Sequence, residues 1–421
     1  MSNTESESPA AATASAAARR AGLPFILVVV FLDVLGLGLA LPVLPMLVGD
    51  YTASRELQSY WYGALIVAYG VMQFFCAPLL GALSDRFGRR PVILLSIFVL
   101  GLHYLLLALA PSLWFMLAAR IIGGLTGASF AVANAYASDV TPPERRAKSF
   151  GLIGAAFGLG FICGPMAGGL LGAVSLQLPF YVAAGLSMVN ALYGFFLVPE
   201  SLPQDRRTRF SLARANPFAA LLALSRHRDI GQLVAVFALV VLAQLILQTT
   251  WVLFTHFRFG WGPRENGMAL FFVGLVATIV QGALLGSLLR RFGDVKLALT
   301  GLAVGTLAYA LYGLVQHGWM MYAIIVGNFI SFAVGPALQS IVSNAVGPRE
   351  QGVTMGALNS INSIMFVIAP SIGTPLLAQV SQLPPSDWRV GITFFVCALL
   401  QGIALFVARR HFAVRGYART V

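Results

Sequence analysis

Gly81-Ala-Leu-Ser-Asp85-Arg86-Phe87-Gly88-Arg89-Arg90 lies between two long apolar segments, and a worn copy, Gly286-Ser-Leu-Leu-Arg290-Arg291-Phe292-Gly293-Asp294, begins 205 residues later (286 − 81). The same offset aligns Ser138-Asp139 with Ser343-Asn344, Pro143 with Pro348, Pro165 with Pro370 and Gly168 with Gly373, without a gap. The chain is a tandem duplication. Two like-oriented halves in one membrane chain imply a transporter whose site lies between them, near the bilayer midplane.

Hydrophobic residues make up 58% of the 421 and charged residues 10%, which excludes an ordinary soluble protein. Apolar segments long enough to span about 30 Å of hydrocarbon run at 24–46, 61–83, 91–110, 112–136, 150–172, 179–197, 230–256, 265–289, 295–315, 318–345, 351–376 and 388–408. Their length predicts an all-α integral membrane protein of twelve transmembrane helices in two six-helix bundles, since barrel strands would be short and alternating. The expected boundaries are a disordered cytoplasmic tail at 1–22, an N-terminal bundle at 23–197, a linker at 198–229 with a short surface helix at 216–225, a C-terminal bundle at 230–408 and a cytoplasmic tail at 409–421.

Of 27 Lys and Arg, four (Arg55, Arg258, Arg264, Arg389) fall on one side of this topology, Arg120 falls within a span, and the other 22 fall with the termini. Positive charge stays in the cytoplasm, so both termini are expected there, in a bacterial inner membrane. The net charge of +12 is thereby explained without nucleic acid. Cys76, Cys163 and Cys397 all lie in apolar spans with no CxxC pair, and read as small buried residues. No metal or other cofactor is expected; the partners are a small-molecule substrate, protons and the lipid bilayer, and the chain is expected to be a monomer. No span holds paired acids, a nucleophile with its base or a metal cluster, so an enzyme is not expected.

Of fifteen carboxylates, Asp33 alone lies well inside a span, and Arg120 is its embedded cationic counterpart. Charge at mid-bilayer is costly and usually functional. Apolar surroundings favour the uncharged acid, so Asp33 can take or lose a proton as hydration or a partner changes, as a proton carrier must. The alternative is an Asp33–Arg120 or helix-capping pair that only holds helices together. Gly160, Gly164 and Gly168 place small residues four apart on one face, for close packing with a bend at Pro165, and the Gly164-Pro165 step is expected to face the other half. In the 81–90 loop, Gly88 permits a tight turn, and Asp85 with Arg86, Arg89 and Arg90 can form ion pairs that open and close a cytoplasmic gate.

These motifs carry a specific resemblance. The 81–90 loop resembles the signature between helices two and three of the major facilitator superfamily, Arg120-Ile-Ile-Gly-Gly124 its helix-four motif, and residues 160–169 the helix-five motif of its proton-coupled exporters. Leu32-Asp33 through Pro45, Met72-Gln73 through Pro78, Trp251 through Trp261 and Pro336-Ala-Leu-Gln339 are similar to the tetracycline-exporter branch. The resemblance implies proton-coupled drug efflux by alternating access, tetracycline-like drugs first and broader lipophilic drugs second. It assigns proton coupling to Asp33 and Arg120, gating to Asp85, Arg86, Gly88, Arg89, Arg90, Gly164 and Pro165, and a polar helix-two role to Gln73. Two positions depart: where those exporters carry an embedded Asp in helix nine and a His in helix eight, this chain has Gly305 and Ala277. An uptake symporter shares the fold, but the Gly-Pro pattern of helix five disfavours it.

The remaining candidates for substrate contact are uncharged. Gln244 with Gln248 and Asn359 with Asn362 share helix faces, and Asn134, Gln281, Asn328 and Gln339 stand singly within spans; for each, the competing reading is a bridge between helices. His103, His256 and His317 are expected near span ends or outside them.

Overall fold

In hydrocarbon a backbone has no partner but itself, and long apolar runs resolve into helices. The computed structural model describes residues 9–127, 129–208, 231–347 and 350–414, and every regular element among them is helical. The first half holds α1 (Pro9–Ala40), the short α2 (Leu44–Gly49), α3 (Arg55–Phe87), α4 (Arg89–Ala108), α5 (Leu113–Thr126), α6 (Ser129–Val140), α7 (Arg146–Gly172) and α8 (Leu178–Leu197). The second holds α9 (Gly231–Phe259), α10 (Pro263–Thr278), a π-helical segment (Ile279–Leu284), α11 (Leu285–Leu314), α12 (Gly318–Gly327), a 3-10 segment (Phe329–Ala333), α13 (Val334–Asn344), α14 (Gln351–Val380) and α15 (Ile392–Val414).

Among the described residues nine helical stretches are long and apolar enough to cross a bilayer, and α12 with its continuation to Asn344, bent by 55°, makes a tenth. The 52-residue stretch Pro263–Leu314 turns at Gly293 (φ 70°, ψ 161°), and Leu113–Thr126 is a shorter apolar helix, an arrangement consistent with the expected twelve. Ser54 and Ser112 begin α3 and α5 by accepting from the Leu57 and Phe115 N–H groups, as N-caps do.

Several boundaries differ from the sequence reading. α1 starts at Pro9, so residues 9–22 are helical rather than a disordered tail, and α15 runs to Val414, six residues past the expected end at 408. The spans at 112–136 and 318–345 are broken, near Gly127 and at Asn328, because hydropathy carries no signal for a break between two apolar stretches. α7 in contrast is one helix through Pro165. The surface helix expected at 216–225 lies outside the described residues.

The halves meet along two helix pairs, α3 with α14 and α7 with α10. Their contact is concentrated at one end. There the Arg55 guanidinium lies over the Phe257 ring at 5.3 Å, and Leu47 and Tyr62 share one core with Leu253, Phe257 and Leu377. Toward the end that carries Gly88, by contrast, a Cβ built on Gly81, Gly151, Gly154 or Gly158, or on Gly282 or Gly352 of the other half, would meet nothing within 4 Å. The molecule is closed at the Arg55 end and open at the arginine-rich end.

Candidate functional site

The embedded charges sit within the first half, on different neighbours. Arg120 of α5 is 5% exposed; its Nε donates to the Leu65 carbonyl oxygen at 3.3 Å and its guanidinium covers the Tyr69 ring at 4.4 Å, both on α3. An ion pair with Asp33 is not among the contacts of Arg120 in the described residues, so Arg120 ties α5 to α3 rather than to α1. Stacking on Tyr69 gives the buried guanidinium a π face in place of water. Asp33, on α1, is half-buried and accepts a hydrogen bond from Asn190 Nδ2 of α8 at 3.3 Å.

His103 corrects the sequence reading: it is buried rather than near a span end, 1% exposed, with Nδ1 2.7 Å from the Ala119 carbonyl oxygen. A carbonyl only accepts, so Nδ1 carries the proton. The ring occupies the space that a side chain on Gly123 would fill, since a Cβ there would stand 2.6 Å from it. Asn190 and His103 were both missed as site residues. Neither has a motif, and only the rotational setting of its helix brings it inward.

The uncharged candidates divide. Gln73 donates to the Gly127 carbonyl oxygen at 2.7 Å, beside the break that ends α5, and so bridges α3 to it. Gln281, on the π-helical segment, reaches the Phe332 carbonyl oxygen at 3.4 Å. Asn328 is buried at the break after α12, with its Oδ1 unbonded, and so belongs to the packing rather than to an exposed face. Gln244 and Gln248 are exposed one turn apart on α9, Asn359 is exposed and Asn362 half-buried on α14, Gln339 is exposed on α13 and Asn134 half-buried on α6. At Gly305 of α11, a Cβ would press on the side chain of Gln401 and stand 3.3 Å from Ser331 Cβ, so a neutral amide fills that space.

The small face of α7 packs on its own half, while Pro165 at the expected step meets the other. Side chains built on Gly160, Gly164 and Gly168 would strike α1 of the same half at Phe31, Gly38 and Leu39. The other half is met one step round the helix: a Cβ on Gly267 of α10 would press on the Pro165 carbonyl oxygen and stand 2.8 Å from Gly169 Cα.

At the arginine-rich end the ion pairs form within the first half. Arg89 reaches Asp85 Oδ1 at 2.6 Å, Asp139 Oδ2 at 3.1 Å and the Ser84 hydroxyl at 2.6 Å. Arg86 is exposed and lies over the ring of its neighbour Phe87. Arg90 donates to the Phe195 carbonyl oxygen. Gly88 turns with φ 105°, a region favouring glycine, and Glu200 closes over it. The Glu200 carboxylate accepts from the Arg89 and Arg90 N–H groups at 2.8 and 3.3 Å, where a helix N-terminus offers free donors. The duplicate loop repeats the turn at Gly293 with the charge reversed at two places: Arg290 stands for Asp85, and Asp294, in the place of Arg89, accepts from the Ser340 hydroxyl at 2.9 Å.

The sequence model of the Major Facilitator Superfamily matches residues 26–370. The chain belongs to the major facilitator superfamily. Within that superfamily it is 39% identical to the class C tetracycline resistance protein of Escherichia coli, over 91% of this chain and 96% of the relative. It is 34% identical to the class B protein of Escherichia coli, over 89% and 93%. Among solved structures, the human organic anion transporter MFSD10 (TETRAN) superposes with a TM-score of 0.65 at 26% identity, covering 93% of this chain and 99% of that one.

Proposed function

We propose that the chain exports tetracycline-like amphipathic drugs across a bacterial inner membrane in exchange for protons. The observation that carries this reading is the end-to-end similarity to tetracycline resistance proteins in a chain whose one deeply embedded carboxylate is Asp33. The arginine-rich end, with both termini, lies in the cytoplasm, and the conformation with that end open is the inward-facing one. Drug enters there while Asp33 is ionised. After the halves rock to open the Arg55 end, a proton from outside neutralises Asp33 and the drug is discharged; on return the proton leaves inward. Each proton moved inward contributes about 2.3 kcal/mol per 100 mV. The network of Asp85, Arg86, Gly88, Arg89 and Arg90 acts as the inner gate, with Gly164 and Pro165 in the helix that bears on both halves. Gln73, Gln244, Gln248, Asn359 and Asn362, with Asn134, Gln281, Asn328 and Gln339, supply polar contact for the drug or the hydrogen bonds that shape its route.

A second reading, export of lipophilic drugs without tetracycline, is favoured by Gly305 and Ala277, where the resembling branch carries charge or imidazole. Efflux from cells and everted vesicles decides between them, comparing tetracyclines with lipophilic dyes for the wild type and Asp33→Asn. The proposal predicts drug-driven proton release by the wild type and none by the variant. Wild-type export of every substrate by Asp33→Asn would remove the coupling role.

A further inference from the structure

α1 presents Phe25, Val29 and Asp33 four residues apart, and α8 answers along the same seam with Tyr193, stacked on Phe25 at 4.5 Å, and Asn190. Asn190 is fully buried, and its Nδ2 reaches two acceptors, the Val29 carbonyl oxygen and Asp33 Oδ1, each at 3.3 Å. Both partners accept, which fixes the NH2 end of the amide on their side. The other end, Asn190 Oδ1, is buried and makes no hydrogen bond. A buried acceptor left bare costs about 1–3 kcal/mol, and in a native structure such an atom needs a reason.

We propose that Asn190 is the positioning residue for Asp33, an amide that matches the carboxyl in both of its protonation states; this rests on reading Asp33 as the proton carrier. While Asp33 is ionised, the Nδ2–H group donates to it. When Asp33 takes a proton from water, the new O–H bond needs an acceptor, and the bare Oδ1 stands in the same planar amide. Acid and amide then share two hydrogen bonds, N–H to carboxyl oxygen and O–H to amide oxygen. When the proton returns to water the first bond alone remains. Asn190 itself gains and loses nothing. On the buried side, where Asn190 sits, each protonation state needs a protein group, and one neutral side chain supplies both.

Other elements also face Asp33. Tyr69 of α3 and Tyr104 of α4 interact electrostatically with Asp33, Arg120 of α5 is engaged with Tyr69 and Leu65, and α7 faces α1 with Gly160, Gly164 and Gly168. On α6, Tyr136 donates to the Pro199 carbonyl oxygen and lies beside Gly22, nearly three turns from Asp33.

The test is the pH profile of drug-driven proton release in everted vesicles holding the full chain, with rates normalised to the transporter present so that position rather than height is read. Asn190→Leu removes donor and acceptor together, and because the two protonation states lose different hydrogen bonds it should displace the profile by about one pH unit, a tenfold change in proton affinity. Asn190→Ala, which relieves any crowding by leucine, should displace it the same way. A purely structural asparagine would lower the profile without moving it. Unmoved profiles in both variants, with Asp33→Asn still abolishing proton release, overturn the role of Asn190 alone. Wild-type proton release by Asp33→Asn overturns the reading of Asp33 on which it rests.

Discussion

Gly169 and Gly267 meet backbone to backbone across the boundary between the halves: a Cβ on either would stand 2.8 Å from the Cα of the other. No side chain fits without parting α7 from α10. Gly169→Val should therefore prevent closure at the Arg55 end, at a cost of about 1–3 kcal/mol for overpacking. Cysteine pairs placed across that end should crosslink less than in the wild type, and drug efflux should fall with it. Full efflux with normal crosslinking would show that the contact is dispensable.

The two loop glycines allow a paired comparison. Gly88 and Gly293 both adopt φ and ψ values that a side chain disfavours, at about 1–3 kcal/mol. Only Gly88 lies under a carboxylate, that of Glu200, whereas Gly293 has open space beside it. Gly88→Ala should lower the unfolding temperature in detergent more than Gly293→Ala. Equal losses would mean that Glu200 contributes nothing there.

Arg89 and Arg86 should separate under conservative exchange. Arg89 engages two carboxylates and a hydroxyl, a pattern that suits a guanidinium fork and that one ammonium group cannot reproduce. Arg89→Lys should reduce efflux severalfold at unchanged membrane abundance, and Arg86→Lys should leave it near wild type. The reverse order would contradict the gate as described.

Asp387, in the loop before α15, gives a pH prediction outside the membrane spans. Hydrogen bonds from the Arg389 side chain and backbone N–H hold its carboxyl below the usual range. A folded value below the unfolded one, about 3.9, stabilises the fold above that pH, and the contribution is lost as pH falls through the folded value. Asp387→Asn should lower the unfolding temperature at neutral pH, with the difference from wild type closing in acid. A difference that persists unchanged in acid would assign the loss to something other than charge.

Spans and duplication were legible because hydropathy is additive along the chain and a repeat needs only register. The turn at Gly293 was legible too, since Gly88 sits in the same place of the other copy. What sequence could not show depends on rotation and distance. Asn190 and His103 resemble any polar residue in a span until the helix facing α1 or α5 is known. Glu200 lies 111 residues from the Arg89 N–H that it caps. The small face of α7 was legible as a face but its partner, α1, was not, because spacing says that something packs closely and not what.

α7 offers glycine to α1 on one side and glycine to α10 on the other. A joint between interlocked side chains has detents, since each ridge must climb out of its groove before the parts can move. A smooth backbone contact has none, and it can slide or part a little at a time without repacking a core. The same bareness that lets the halves lie so close thus keeps the barrier to their rocking low, and it makes the cycle sensitive to a single methyl group at Gly169 or Gly267.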